Sequence, residues 1–257
     1  MYRTASALML IASSFAAIGQ GGSAAVQLLP QTTLPIVFTS TLSANKVHSG
    51  DIVSAKTMQA VRLSNGVSIP SGARVIGHVT EAVGFAYDKT SYARQKDSTL
   101  SVHFDSVEVD GAKVPLNVTV RALADVFATA AAQEPKSSDL DSLGTLTLVG
   151  GDFLIPSQDE VKNLDGDVIG YNRQGGVYAH LISNGRCDGN ATEVSMGIYA
   201  ASACGLYGYT NVSATEFGSA GNPSTLTLIS HRASPAIWKY STALLEVLPL
   251  DQAFIGR

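Results

Sequence analysis

Alternation of apolar and polar side chains with a period of two recurs in several runs between Leu34 and Val120. Leu34 to Leu42 (Leu-Pro-Ile-Val-Phe-Thr-Ser-Thr-Leu) is rich in β-branched and aromatic residues and predicts a strand. Ile52 to Leu63 alternates through Val53, Ala55, Thr57, Val61 and Leu63, which predicts one long strand or two short ones. Arg74 to Val83 sets Val75, Gly77 and Val79 on one face and Arg74, Ile76 and His78 on the other. Thr99 to Val109 sets Val102, Phe104 and Ser106 against Ser101, His103, Asp105 and Val107. Ala112 to Val120 carries Val114, Leu116, Val118 and Val120 on one face. Such strands pack one side on a core and turn the other to water.

The punctuation between these runs is equally specific. Asn65-Gly66 and Asp110-Gly111 predict two-residue hairpin turns, because a type I′ turn needs φ > 0 at both central residues. Ile69-Pro70-Ser71-Gly72 predicts a second tight turn close behind the first. Gly84 to Ser98 has no apolar period and predicts a long loop. Arg121 to Gln133 switches period, with Leu123, Val126, Phe127 and an alanine run, and predicts a short helix. Glu134 to Asp141 is polar and broken by Pro135, which suits a boundary.

Beyond it, strands are predicted at 146–149, 168–171, 177–182, 195–200, 225–230 and 244–248. Turns are predicted at Asp165-Gly166, Gly175-Gly176, Asn184-Gly185 and Asp188-Gly189. The pattern as a whole predicts a mostly β protein: an antiparallel β-barrel or sandwich, in two small β domains with one short helix. The N-terminal domain spans 26–133, a linker 134–141, and a C-terminal Gly- and Tyr-rich domain 142–257.

Composition adds compartment and excludes some partners. Apolar residues make up 45% and charged residues 15% of the 257, as in a globular protein. Residues 1–25 read as a secretory signal peptide, with Arg3 at the start, a short apolar run over 5–18 and small residues Ser23-Ala24-Ala25 at a cleavage site. Its removal leaves 16 basic and 21 acidic residues, a formal charge of −5. That acidity argues against nucleic acid as a partner. No later apolar run is long enough for a transmembrane helix. The expected location is the periplasm or the cell surface.

In an exported chain the pair Cys187 and Cys204 predicts a disulfide, with two buried thiols as the alternative. No Gly-x-Ser-x-Gly elbow and no His-Glu-x-x-His pair occurs, so no catalytic, cofactor-binding or metal-ligating residue is assigned. His78 and His103 fall on strands that can become neighbours, where two histidines on a wet sheet face are an ordinary occurrence. Asn163-Leu164-Asp165-Gly166-Asp167 spaces oxygen ligands as a calcium loop might, yet it also reads as a hairpin turn. Tyr199, Tyr207, Tyr209 and Trp238 are the candidate ligand-binding residues; aromatics also supply core burial in a small β domain.

The run Ile69-Pro70-Ser71-Gly72-Ala73-Arg74-Val75-Ile76-Gly77, a loop, then Leu100-Ser101-Val102-His103-Phe104-Asp105-Ser106-Val107 and the following hairpin resemble the β-domain of the TrbI-like conjugal-transfer family. The resemblance covers residues 34–120. It implies a β-barrel and a scaffold role in the envelope-spanning core of a type IV secretion system. The expected function is a non-enzymatic envelope protein that assembles with protein partners or with itself. The alternatives are a secreted sugar- or peptide-binding protein using the tyrosine-rich half, and a wall hydrolase using paired carboxylates.

Overall fold

The computed structural model describes residues 28–62, 68–89, 95–133, 147–149, 152–156, 160–162, 168–171, 195–196, 198–200 and 203–249. Its front half contains β1 (Thr33–Phe38), β2 (Leu42–Ser43), β3 (Ile52–Thr57), β4 (Val61–Arg62), β5 (Ser68–Ile69), β6 (Arg74–Val83), β7 (Ser98–Val109), β8 (Ala112–Pro115), β9 (Val118–Ala124) and helix α1 (Val126–Gln133). There follow β10 (Thr147–Val149), β11 (Asp152–Pro156), β12 (Glu160–Lys162), β13 (Val168–Tyr171), β14 (Ser195–Met196) and β15 (Tyr199–Ala200). The last are β16 (Gly205–Tyr207), β17 (Ser213–Glu216), β18 (Thr225–Ser230), β19 (Ala236–Ile237) and β20 (Thr242–Val247).

One ten-stranded sheet dominates, in the order β16-β9-β20-β1-β3-β6-β7-β18-β17, with β8 also on β7. It curls until β9 meets the connection after β17. Val120 N–H donates to Phe217 O, Ser224 N–H donates to Val118 O, and Thr119 Oγ1 donates to Phe217 O. The sheet is thereby a nearly closed barrel, and few ladder groups of β9 are left open. The interior is filled by side chains, among them Leu34, Ile36, Phe38, Leu100, Val102, Phe104, Leu226 and Leu228, all fully buried. Phe38 and Phe104 pack at a ring-centroid distance of 6.2 Å.

The barrel draws its strands from both sides of the boundary expected at 134–141. The front strands cannot close by themselves. β1 has β3 on one side and needs β20 on the other; the first half of β7 needs β18; β9 pairs with β20 and with β16, the latter in parallel. Residues 205–247 supply the pairing that those open edges demand. The residues 134–141 themselves lie outside the described ones, as do 1–25, the Asn65-Gly66 turn, the calcium-like loop at 163–167, the segment 177–182, the turns at 165–166, 175–176, 184–185 and 188–189, and Cys187.

Local turn chemistry is followed closely. Asp110 and Gly111 have φ of 50° and 79°, and Val109 faces Ala112, as a two-residue type I′ hairpin requires. Gly72 has φ of 80° in a turn closed by Ala73 N–H to Pro70 O. Val61 faces Ile69 and Arg62 faces Ser68 in the antiparallel β4–β5 pair.

Two local expectations change. The helix expected over 121–133 begins only at Val126, because Arg121–Ala124 continues β9 between β20 and β16. Asp125 then caps it, with Oδ1 accepting from Ala128 N–H at 2.7 Å. Val107, expected outside with Asp105, is fully buried. A bulge between Ile76/Gly77 on β6 and Phe104–Ser106 on β7 leaves Asp105 as the extra residue and reverses the facing beyond it.

A smaller cluster lies on the outer side of β9 and β20. Ala122, Ala124 and Leu244 are covered there by Ala132 of α1 and by Ile198, Tyr199 and Ala203. Among the described residues no helix is long and apolar enough to cross a membrane.

Candidate functional site

The antiparallel registers define two ends of the barrel. One end gathers the C-termini of β1, β6, β9 and β18 and the N-termini of β3, β7 and β20. Five of the six large apolar side chains that stand exposed among the described residues belong to that end: Val83 and Tyr87 at and after the end of β6, Phe127 on α1 after β9, and Trp238 and Tyr240 before β20. The sixth, Ile52, is the cross-strand partner of His78 on the outer wall. The opposite end, with the Asp110-Gly111 hairpin and the Pro70–Ala73 turn, shows none among the described residues. Isolated exposed apolar side chains are ordinary, but five segregated to one end mark a surface.

Backbone geometry sharpens this at Tyr240. Ser241 N–H donates to Trp238 O at 3.0 Å, so Trp238–Ser241 is a tight turn, and Tyr240 holds its third position at φ of 73°. That position in a type II turn favours glycine, and a bulky side chain there costs about 1–2 kcal/mol. Neighbouring bonds hold the turn in place: Tyr240 N–H to Phe38 O at 2.9 Å and Lys239 N–H to Thr41 Oγ1 at 3.0 Å. The Lys239 ammonium lies 4.8 Å from the centre of the Tyr240 ring. Trp238 is 52% exposed and Tyr240 58%.

The tyrosines expected beside Trp238 are brought together, but inward. Tyr199 is fully buried; its Oη donates to Thr242 O at 2.9 Å and lies 2.8 Å from Thr242 Oγ1. It meets Tyr207 edge-on, with centroids 6.4 Å apart. Tyr207 Oη accepts from Cys204 N–H at 3.3 Å. Tyr209 Oη and Ser241 Oγ are both buried without a well-formed hydrogen bond.

Burial pushes the phenols of Tyr199 and Tyr209 far up. The Thr242 hydroxyl pulls Tyr199 partly back; the Ser241 hydroxyl does so for Tyr209, while the Asp125 carboxylate pushes that phenol further up. Burial also raises Tyr207, less its bond from the Cys204 backbone. The expectation of an open tyrosine face is therefore corrected for Tyr199 and Tyr209. Tyr199 anchors β15 onto β20 through its buried ring and bonded hydroxyl, and the largely buried Tyr209 ring packs the turn after β16 against the core. Of the four candidate residues, Trp238 stands at the surface; Tyr207 is half-buried.

A second constellation lies on the outer wall. His78 of β6 and His103 of β7 are direct cross-strand partners, with ring centroids 5.4 Å apart. Asp105, two residues after His103, lies on the same outer face, and the bulge leaves it without a cross-strand partner. His78 Nδ1 is 3.0 Å from both carboxylate oxygens, and His103 Nε2 is 3.8 Å from Oδ1. His103 Nδ1 is 3.3 Å from Thr225 Oγ1 on β18. Alternation placed Asp105 on the face of His103; the pairing that brings His78 to them comes from the β6–β7 register.

No family model, no curated protein and no solved structure matches this chain.

Proposed function

We propose that this chain is an exported, non-enzymatic β-barrel module of the cell envelope that works by docking its apolar end against protein partners or further copies of itself. The observation that carries the reading is the segregation of five of the six exposed large apolar side chains, among the described residues, to one end of a barrel whose interior is lined by buried apolar side chains. A filled interior offers no lumen for a ligand, and Trp, Tyr and Phe are the residues enriched at interface hot spots. The strain accepted at Tyr240 supports the same reading, since an unfavourable backbone is retained where the side chain is useful. The resemblance of residues 34–120 to the TrbI-like scaffold β-domain points the same way, and the signal-like segment 1–25 supplies the route out of the cytoplasm. The Cys187–Cys204 disulfide belongs to this reading as a staple suited to an oxidising compartment.

Size-exclusion chromatography with light scattering on the mature chain tests it. A ring or other oligomer that falls apart in a Trp238→Ser/Tyr240→Ser/Phe127→Ser variant supports assembly; a monomer that gains no mass with envelope partners counts against it. The exposed Trp238 ring, with Lys239 beside it, also fits a sugar or peptide ligand. A glycan array that lights up with the wild type and goes dark with Trp238→Ser would favour that alternative.

A further inference from the structure

Bonds between loops knit the apolar end into one platform. β19 pairs with β2, and Ala44 N–H donates to Pro235 O at 3.0 Å beside that pair. Phe85 N–H donates to Ser234 Oγ at 2.8 Å, and Lys239 N–H to Thr41 Oγ1 at 3.0 Å. Tyr87, Trp238 and Tyr240 therefore stand on segments tied to one another. Each has an exposed lysine close by in the chain: Lys89 after Tyr87, and Lys239 between Trp238 and Tyr240. Lys46 follows β2 and Lys96 precedes β7 at the same end, and both are exposed.

The carboxylates on the described loops of this end are turned into the chain's own bonds. Asp51 Oδ2 accepts from His48 N–H at 2.8 Å, Asp88 Oδ1 from Gln95 Nε2 at 3.2 Å, and Asp125 Oδ1 from Ala128 N–H at 2.7 Å; Asp97 pairs with His231. Lys46, Lys89, Lys96 and Lys239 meet no carboxylate among the described residues. What the end turns outward is thus a set of aromatic rings with ammonium groups among them. Lysine is depleted in protein–protein interfaces. Trp and Tyr at headgroup depth, with lysines reaching for lipid phosphates, are the pattern of a bilayer surface.

We propose that the apolar end seats on the surface of an anionic phospholipid bilayer, with Tyr87, Trp238 and Tyr240 at headgroup depth and Lys46, Lys89, Lys96 and Lys239 against lipid phosphates. The proposal rests on the reading of this end as a docking surface and goes beyond it in what the end meets. Each lysine near an anionic surface contributes roughly fivefold in affinity, and salt weakens that share. The tied loops hold the rings in place beforehand, so little order has to be gained on contact.

Trp238 is the one tryptophan of the chain, so its fluorescence reports on the site itself. Vesicles of phosphatidylethanolamine and phosphatidylglycerol, added to the mature chain, should shift that emission to the blue, and lipids brominated high in the acyl chain should quench it. Vesicles of phosphatidylcholine alone should bind less, and added salt should weaken binding to the anionic ones. Lys46→Gln and Lys239→Gln should each lose roughly fivefold in vesicle affinity, while Lys113→Gln, on β8 at the opposite end, should lose nothing. The emission of the wild type keeps the test independent of how the variants fold. Unchanged emission with anionic vesicles would overturn the proposal. So would a blue shift that follows protein concentration without lipid: the end then belongs to further copies of the chain, and the docking reading survives while the lipid does not. Binding equal on phosphatidylcholine and indifferent to salt and to both lysines would overturn it as well.

Discussion

Asp105 reaches His78 across the β6–β7 pair, with both carboxylate oxygens 3.0 Å from Nδ1, because Asp105 is the extra residue of a bulge. The same bulge marks where β7 changes partner. Phe104 N–H donates to Ser224 O just before β18, and Leu116 N–H donates to Asp105 O just after β8. One irregular residue thus lets a twelve-residue strand serve two neighbours on one edge, with its carboxylate on the outer face beside His78 and His103.

Gly77 makes that bulge geometrically feasible. A Cβ there would stand 2.1 Å from the His103 carbonyl oxygen, a backbone atom that cannot move aside. Gly77→Ala should destabilise the fold by about 2–3 kcal/mol. Gly72→Ala, which meets no atom within 4 Å but keeps φ of 80°, should cost about 1–2 kcal/mol. Urea unfolding of the two variants beside the wild type measures the difference, and equal midpoints would refute the steric account.

Tyr240 makes the opposite prediction. Tyr240→Gly relieves the left-handed backbone and should leave stability unchanged or raise it by up to about 1 kcal/mol, although a large ring is lost. Tyr240→Val should destabilise, since a β-branched residue tolerates that φ worst. Self-association should weaken in both. A thermal melt and a sedimentation run on each variant separate conformational strain from docking.

Alkaline stability should follow the buried phenols. Tyr199 and Tyr209 are raised above the ordinary phenol value of about 10, so the folded state keeps its protons where the unfolded chain loses them. Their contribution is present in full below pH ~10 and declines as pH rises beyond it. Urea midpoints should therefore fall above pH ~10, and phenolate absorbance should rise together with unfolding for these two residues. Early ionisation of all tyrosines in the folded chain would contradict their burial.

Cys204 precedes β16, the strand that lies parallel to β9. If it pairs with Cys187, the oxidised chain should weigh two hydrogens less than the reduced one, and reduction should lower stability by roughly 3 kcal/mol. Intact mass spectrometry with and without reductant, followed by unfolding of both forms, checks each half of that statement.

Much of the strand pattern was legible because it is a local matter. Two-residue alternation decides which side chains can share a face, and Asp110-Gly111 meets a steric demand that few other pairs meet. The helix start was misplaced because alanine-rich sequence suits either period, and the pairing of Arg121–Ala124 with two distant strands settled the choice. Tyr199 meets Tyr207, but the rings of Tyr199 and Tyr209 turn inward, since composition does not say which side of a sheet is covered.

By itself, the order of residues determined a mostly β chain with identifiable hairpins, because turn sterics and pleat periodicity act over a few neighbours. Tertiary structure alone decided that strands from both sides of residues 134–141 close one barrel, that most of its exposed apolar side chains lie at one end, and that His78 meets the face of His103 and Asp105. Each of these depends on partners brought from far along the chain, such as Leu34 beside Leu245. Unpaired backbone groups on open edges seek partners without regard to sequence distance, and no local pattern records which segment will answer.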